Sequence, residues 1–543
     1  MAIAFAQLRE IFAPLDELLA SGGDTRLRLD PATRLNGYGC RPYPRPEAIT
    51  FASSTATSIS ERAWRRAEVE RRLLVRASLA QGFEAAVADR LERLRNELRD
   101  VLELGADTDI VWSPSGTDAT LHAVYVARAA LGTPMVSIVV AADETGSGVA
   151  YASCGKHFNA TTAHGAAVEK GNPIRGLADG MASVAVPRRG ADGKVRSPAQ
   201  IDEAVMAAVA RAVSVGSRVL LHAMDHSKLG SRCPSLDCLS RIRQRWGAAV
   251  QIVIDACQMR LGRRRLAWHL DQGHLVLITG SKFFTGPPFC GALLVPATLS
   301  AAMAARAAVP AQLRDYTSRG DWPATWHGVR ATMRAQGNLG QLLRWTAALE
   351  EMRAYFAVPE AFRTLALASF AAIVPEFIAG HADLALLPDG ERSLSGSPDE
   401  LDGEMAARTI FPFTLRCGDR LLSPAEARRV YRALNEDIAA VLPPGASFAE
   451  RQLAARLCHI GQPVEIAGTG GESTAALRLS AGARVVSENW SDAGEDAAIG
   501  NLHREFAQIR TILDKIDLLL RNLAALEHAG GAPDAATPIR ATG

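Results

Sequence analysis

Leu275-Val276-Leu277-Ile278-Thr279-Gly280-Ser281-Lys282-Phe283-Phe284-Thr285-Gly286-Pro287-Pro288 is the stretch that decides how this chain is built. Its first five residues are an unbroken run of apolar and β-branched side chains, which fits a strand buried on both faces. Small residues and two prolines then break the run, and the turn they make carries a lysine. The chain has only six lysines (Lys156, Lys170, Lys194, Lys228, Lys282 and Lys515), because arginine supplies nearly all of its basic charge. A scarce amine at the mouth of a buried strand is poorly placed to hold a surface charge. It is well placed to attack a carbonyl. A lysine that merely snorkels from a strand end is the bland alternative.

Outward from this strand the pattern alternates. Strands are expected at residues 109–112, 135–141, 183–186, 218–223, 252–255 and 291–295, with helices at 118–130, 198–213 and Leu236–Trp246 between them. Strands separated by helices imply an α/β fold: a three-layer large domain whose mostly parallel sheet is covered on both faces. Segments 410–415 and 475–479 read as strands of a smaller α+β C-terminal domain. The chain of 543 residues is too long for one core. The division expected is an N-terminal helix and irregular arm over 1–50, a large domain over 51–340, a small domain over 341–530 and a disordered tail over 531–543. Residues 61–104 carry an Arg- and Glu-laced helical pattern, residues 502–526 form a long closing helix, residues 143–180 form a Gly-rich loop, and residues 390–403 form a polar linker or loop.

Composition narrows the function. Sixty Lys and Arg against 58 Asp and Glu give a formal charge of +2, with no overall pull towards nucleic acid or anionic lipid. The eight cysteines are scattered without a CxxC pair, which speaks against a zinc site and for reduced thiols in a cytoplasmic protein. The first twenty residues lack the charged and apolar blocks of a secretory signal. No uninterrupted apolar run reads as long enough to span a bilayer.

Three short motifs carry the chemistry, in order, on consecutive βα units. In Ser113-Pro114-Ser115-Gly116-Thr117-Asp118-Ala119-Thr120 a strand leads in and an apolar helix leaves. Backbone N–H groups, two hydroxyls and the helix dipole can cradle a phosphate there; an ordinary helix cap reads equally well. In Ile252-Val253-Ile254-Asp255-Ala256-Cys257-Gln258 an acid follows a buried strand at the sheet edge where α/β ligands bind. Asp255 can keep a pyridine nitrogen protonated and Gln258 can donate to a ring oxygen, or Asp255 can simply cap a turn. Thr279, Ser281 and Lys282 form the third. One helix and a return strand separate them from Asp255, which allows neighbouring strands.

Together, S-G-T-D-A, D-A-C-Q and T-G-S-K-F-F-T-G-P-P-F-C-G resemble the class V aminotransferases and cysteine desulfurases, fold-type I enzymes that use pyridoxal 5'-phosphate. The resemblance covers roughly residues 50–345 and resumes at Ala475-Ala476-Leu477-Arg478-Leu479-Ser480. It implies Lys282 as the lysine that forms an imine with the cofactor and Asp255 as the partner of the pyridine nitrogen. It implies Gln258 at the phenolic oxygen, and Thr117 and Thr279, with Ser115, Gly116 and Ser281 beside them, at the phosphate. Arg478 becomes the clamp on the substrate carboxylate. A homodimer acting on a small-molecule amino-acid substrate is implied as well.

The chain departs from that pattern at several points. Ser281 stands where the family has His before the lysine. Asp143-Glu144-Thr145-Gly146-Ser147-Gly148 stands where a His stacks on the ring, leaving Thr145 or His157 for that place. His226 and Ser227, before Lys228-Leu229-Gly230, stand where the family has Asn, either touching the cofactor or forming a plain turn. Arg456-Leu457-Cys458-His459-Ile460-Gly461-Gln462-Pro463 resembles the loop that carries the desulfurase cysteine, but Ile460 aligns with that position and Cys458 lies two residues upstream. Transamination is the first expectation, then β- or γ-elimination including C–S cleavage, with decarboxylation less favoured. A non-catalytic cofactor-binding relative and a lysine aldolase without pyridoxal phosphate are the other classes.

Overall fold

The computed structural model describes residues 11–190, 193–306, 309–388, 402–467 and 473–529. Its strands, in chain order, are β1 (Ala48–Phe51), β2 (Asp109–Ser113), β3 (Met135–Val140), β4 (Met181–Val186), β5 (Arg218–Met224), β6 (Val250–Asp255), β7 (Leu275–Thr279), β8 (Gly291–Val295), β9 (Leu384–Leu386), β10 (Ile410–Cys417), β11 (Arg420–Leu421), β12 (Leu457–Ala467) and β13 (Ser473–Ser480). Seven of them form one sheet in the order β2-β8-β7-β6-β5-β3-β4. Strands β3 to β7 pair in parallel, and β8 is antiparallel to both β7 and β2. This is the three-layer, mostly parallel α/β architecture expected. Its central strands β5 to β8 are apolar along almost their whole length, as strands covered on both faces must be.

One helix, Arg263–Asp271, fills the interval between β6 and β7, so Asp255 and Lys282 leave adjacent strands at the same edge. The register fixes this: Met224 of β5 pairs with Asp255, and Asp255 with Leu277 of β7. Helices Glu61–Gln81 and Phe83–Leu102 form a hairpin against helix Leu339–Ala357. Gly82, at φ 91°, makes the break between the first two, a conformation that favours glycine.

The second sheet runs β1-β12-β13-β10-β11, with β9 on β10. Strand β1 pairs in parallel with β12, setting Phe51 against Ile460. The N-terminal arm is therefore built into the C-terminal sheet. Strand β12 corrects the reading of residues 456–463 as a loop. Gly461, Gln462 and Pro463 interrupt the apolar run, and the ladder with β13 shifts register between Gly461 and Val464; a bulge admits proline in a strand.

The N-terminal helix expected over the first twenty residues is seen at Leu15–Leu19, its first half lying outside the described residues. The segments 390–401 and 530–543 also lie outside them. The 143–180 region has one short helix, Val149–Ala152. Helix Glu360–Ala379 is long and apolar enough to cross a bilayer by length and composition, although Glu360, Arg363 and Glu376 interrupt its apolar run. Here it packs on helix Glu495–Arg521, with the Phe370 and Phe506 rings 6.0 Å apart.

Candidate active site

The turn that presents Lys282 is clamped from below. A Cβ on Gly280 would lie 2.4 Å from the Ala348 Cβ, and one on Gly286 would lie 2.7 Å from it. Helix Leu339–Ala357 thus approaches the turn so closely that neither position tolerates a side chain. Phe283 and Phe284 are buried, with ring centroids 5.2 and 5.8 Å from that of Tyr355 in edge-on packing. Thr285 and Phe289 take positive φ values of 56° and 72°, conformations that non-glycine residues hold only when their surroundings impose them. Lys282 leaves this turn at the sheet edge, its amine donating to the Thr55 carbonyl. Burial, with Arg478 and Lys228 as like-charged neighbours, brings its pKa down to about 7.

Asp255 stands beside it at the end of β6. One carboxylate oxygen accepts from the Cys257 N–H at 3.1 Å. Burial raises its pKa, the Cys257 hydrogen bond opposes this, and Lys282 is among the charges that act on it. Gln258 donates to the Ser54 carbonyl at 3.0 Å. Arg478, 2% exposed, donates to the Gln462 carbonyl at 3.1 and 2.7 Å, to the Ser54 and Lys228 carbonyls at 3.3 Å each, and to the Thr55 hydroxyl at 2.8 Å. Among the described residues no carboxylate pairs with it. Burial without a counterion lowers its pKa to about 10.

The proposed phosphate end is more committed than its sequence implies. Ser115 caps helix Gly116–Leu131 and its hydroxyl bonds the Asp118 carboxyl at 2.5 Å. The Thr279 hydroxyl donates to the Cys257 carbonyl at 2.7 Å. The Thr117 hydroxyl, by contrast, has no hydrogen bond among the described residues. A Cβ on Gly116 would sit 2.6 Å from the Cys257 sulfur, so the helix start lies directly against the turn that carries Asp255. Ser281 is buried against the Cys290 thiol.

The remaining predicted residues divide. His226 bonds Asp225 at 2.8 Å, and Ser227 donates to Glu144 at 2.6 Å, which ties loop 143–148 to the turn after β5. Thr145 lies in that loop, half-buried. His157 bonds the Tyr316 hydroxyl at 2.7 Å. Cys458 is fully buried, which pushes its thiol up to about 11; an inert thiol of this kind is no nucleophile.

Several residues without a sequence signal complete the site. Segment 52–58, Ala-Ser-Ser-Thr-Ala-Thr-Ser, is buried and links Lys282, Gln258 and Arg478 through Ser54 and Thr55. Arg260 joins Ser53 at 2.8 Å, Thr409 at 2.7 Å and the Ala481 carbonyl at 2.8 Å. From the arm, Tyr38 places its ring centroid 5.8 Å from the Lys282 amine, and Arg26 stacks over Phe289 at 4.8 Å while pairing with Asp24. Lysine scarcity was a signal for Lys228; the arm offered none. No cluster of metal-ligating side chains occurs among the described residues.

No family model matches the chain, and no curated protein matches it by sequence. By structure it is similar to the tryptophan decarboxylase of Catharanthus roseus, at 13% identity and a TM-score of 0.46 over 86% of this chain and 83% of that one. It is similar to the glutamate decarboxylase domain of a Vibrio parahaemolyticus transaminase and decarboxylase, at 14% and 0.46 over 89% and 81%. It is also similar to the cysteine desulfurase CsdA of Escherichia coli, at 13% and 0.44 over 85% and 95%. The chemistry of the site rests on this chain's own residues.

Proposed function

We propose that the chain is a pyridoxal-phosphate enzyme of fold type I that acts at Cα of an amino acid and keeps the substrate carboxylate, with transamination as its first reading. The observation that carries this is the triangle of Lys282, Asp255 and Arg478: an amine near neutrality, a half-buried acid at the adjacent strand end, and a buried guanidinium with no acid partner among the described residues. The donor set fits the cofactor. Lys282 would hold it covalently, Asp255 would keep a proton on its ring nitrogen, Gln258 would reach its phenolic oxygen, and Thr117 with the start of helix Gly116–Leu131 would hold phosphate. When bound, pyridoxal phosphate supplies an aldehyde for amines and an electron-withdrawing ring that acidifies the bonds at Cα.

The chain's own groups do the rest. Arg478 has a planar fork of donors, the geometry that grips a carboxylate in two places. Holding that carboxylate decides which Cα bond faces the ring. Lys282, with a pKa near 7, can take a proton from Cα and return one at a neighbouring carbon without a large energetic mismatch. The inert Cys458 removes the support for persulfide chemistry, leaving elimination as the second reading.

Cofactor addition to the purified protein is expected to give an absorbance band at the visible edge that Lys282→Ala abolishes. An amino-acid panel with and without a keto-acid acceptor then separates the branches. Keto acid formed only with an acceptor supports transamination, and ammonia released without one supports elimination. Normal cofactor uptake by Lys282→Ala would sink the reading.

A further inference from the structure

Three cations meet at this edge of the sheet: Lys282, Arg478 and Lys228. The third has no part in the chemistry above. Lys228 leaves the turn after β5, where its N–H bonds the Glu144 carbonyl at 3.1 Å and its carbonyl accepts from Arg478 at 3.3 Å. Its ammonium is partly buried and makes no hydrogen bond or ion pair among the described residues. The charges that act on it are Arg478 and Arg26, which oppose it, and Asp255, which favours it. The nearby Glu144 carboxylate is taken by Ser227, and Asp24 is taken by Arg26. The His226 ring is taken by Asp225.

A cation withdrawn from water is costly unless an opposite charge meets it. In the loaded site Asp255 is committed to the ring nitrogen and Arg478 to the α-carboxylate, so Lys228 is left over. We infer that Lys228 binds a second anionic group, and that the substrate is an amino acid with an acidic side chain. Its α-carboxylate lies on Arg478 and its distal carboxylate or sulfinate on Lys228. This rests on the cofactor reading above, and it adds the substrate class.

Two measurements separate the two ideas. On the cofactor-free full chain, calorimetry with succinate and with butyrate tests for a two-anion site without any turnover. Succinate is expected to bind roughly 10- to 100-fold more tightly than butyrate, as a charge-assisted hydrogen bond predicts. Lys228→Met is expected to erase that ratio and Lys228→Arg to restore most of it, with unchanged melting profiles showing that each variant folds. Equal binding of the two acids, or a ratio unaffected by Lys228→Met, overturns the inference. On the loaded enzyme, aspartate or glutamate is expected to shift the cofactor band at concentrations at least tenfold below asparagine or glutamine. Lys228→Met is expected to lose this preference while taking up pyridoxal phosphate normally. Weakened uptake of pyridoxal phosphate but not of pyridoxal would assign Lys228 to the cofactor phosphate and overturn the substrate role. Absence of any cofactor band defeats the cofactor reading alone, since succinate binding still decides whether Lys228 receives the second anion.

Discussion

At the Asp118 carboxyl, burial outweighs the Ser115 hydrogen bond and, with Asp24 adding to it, carries the pKa up to about 7. The group sits in the first turn of helix Gly116–Leu131, the place proposed for a phosphate. Below pH 7 it is neutral and compatible with that anion. Above pH 7 it is a carboxylate that repels it. Asp118→Asn is therefore expected to tighten pyridoxal-phosphate binding roughly tenfold at pH 8 and to leave it unchanged at pH 6, one pKa unit of coupling being about 1.4 kcal/mol. Titrations of the absorbance band at the two pH values check this, and equal Kd values at pH 8 would place the phosphate elsewhere. The motif Ser115-Gly116-Thr117-Asp118 was legible as a strand-to-helix turn with a serine cap, but the charge of its acid was not. That charge is set first by burial, with Asp24, an arm residue nearly a hundred positions earlier, adding to it.

Segment 52–58 shows what sequence withholds at the scale of an element. The buried strands β5 to β8 announce themselves as apolar runs, because their partners need only be apolar too. A run of Ser, Thr and Ala between β1 and helix Glu61–Gln81 announces nothing, since its role lies in bonds to residues more than 200 positions away. The Thr55 hydroxyl accepts from Arg478 at 2.8 Å and from the Gln462 N–H at 3.0 Å. Thr55→Val keeps the shape and strands both donors, each at a cost of about 1–3 kcal/mol if left unpaired. Urea denaturation is expected to show a loss of about 2 kcal/mol, with a raised KM for the amino acid as Arg478 loosens, and Thr55→Ser to recover both. A destabilisation without any change in KM would make the segment a structural strut only.

Across the whole molecule, three amines withdrawn wholly or partly from water shape the response to pH above neutrality. Burial lowers Lys282 to about 7 and Lys228 to about 8. Lys515, in helix Glu495–Arg521, is likewise lowered to about 8, although it donates to the carbonyls of Leu434, Glu436 and Arg456 at 3.1, 2.8 and 2.5 Å. In the unfolded chain each titrates near 10.4. Between about pH 7 and 8.5 the folded chain therefore releases protons that the unfolded chain retains, and stability rises with pH. Each amine contributes on the order of 1 kcal/mol over that interval. Above it the thiols of Cys40, Cys233, Cys238, Cys257, Cys290 and Cys458, all raised by burial, stay protonated while their unfolded forms ionise; they outnumber the three amines, which turns the trend downwards. The melting temperature of the cofactor-free chain is thus expected to climb from pH 7 to a maximum near pH 8.5–9. Lys282→Met removes one of the three terms without burying a new charge, so its climb should be shallower than that of the parent chain by about a third. Parallel profiles would mean that Lys282 is protonated throughout, and with that its place as the amine that meets the cofactor aldehyde at neutral pH would be lost.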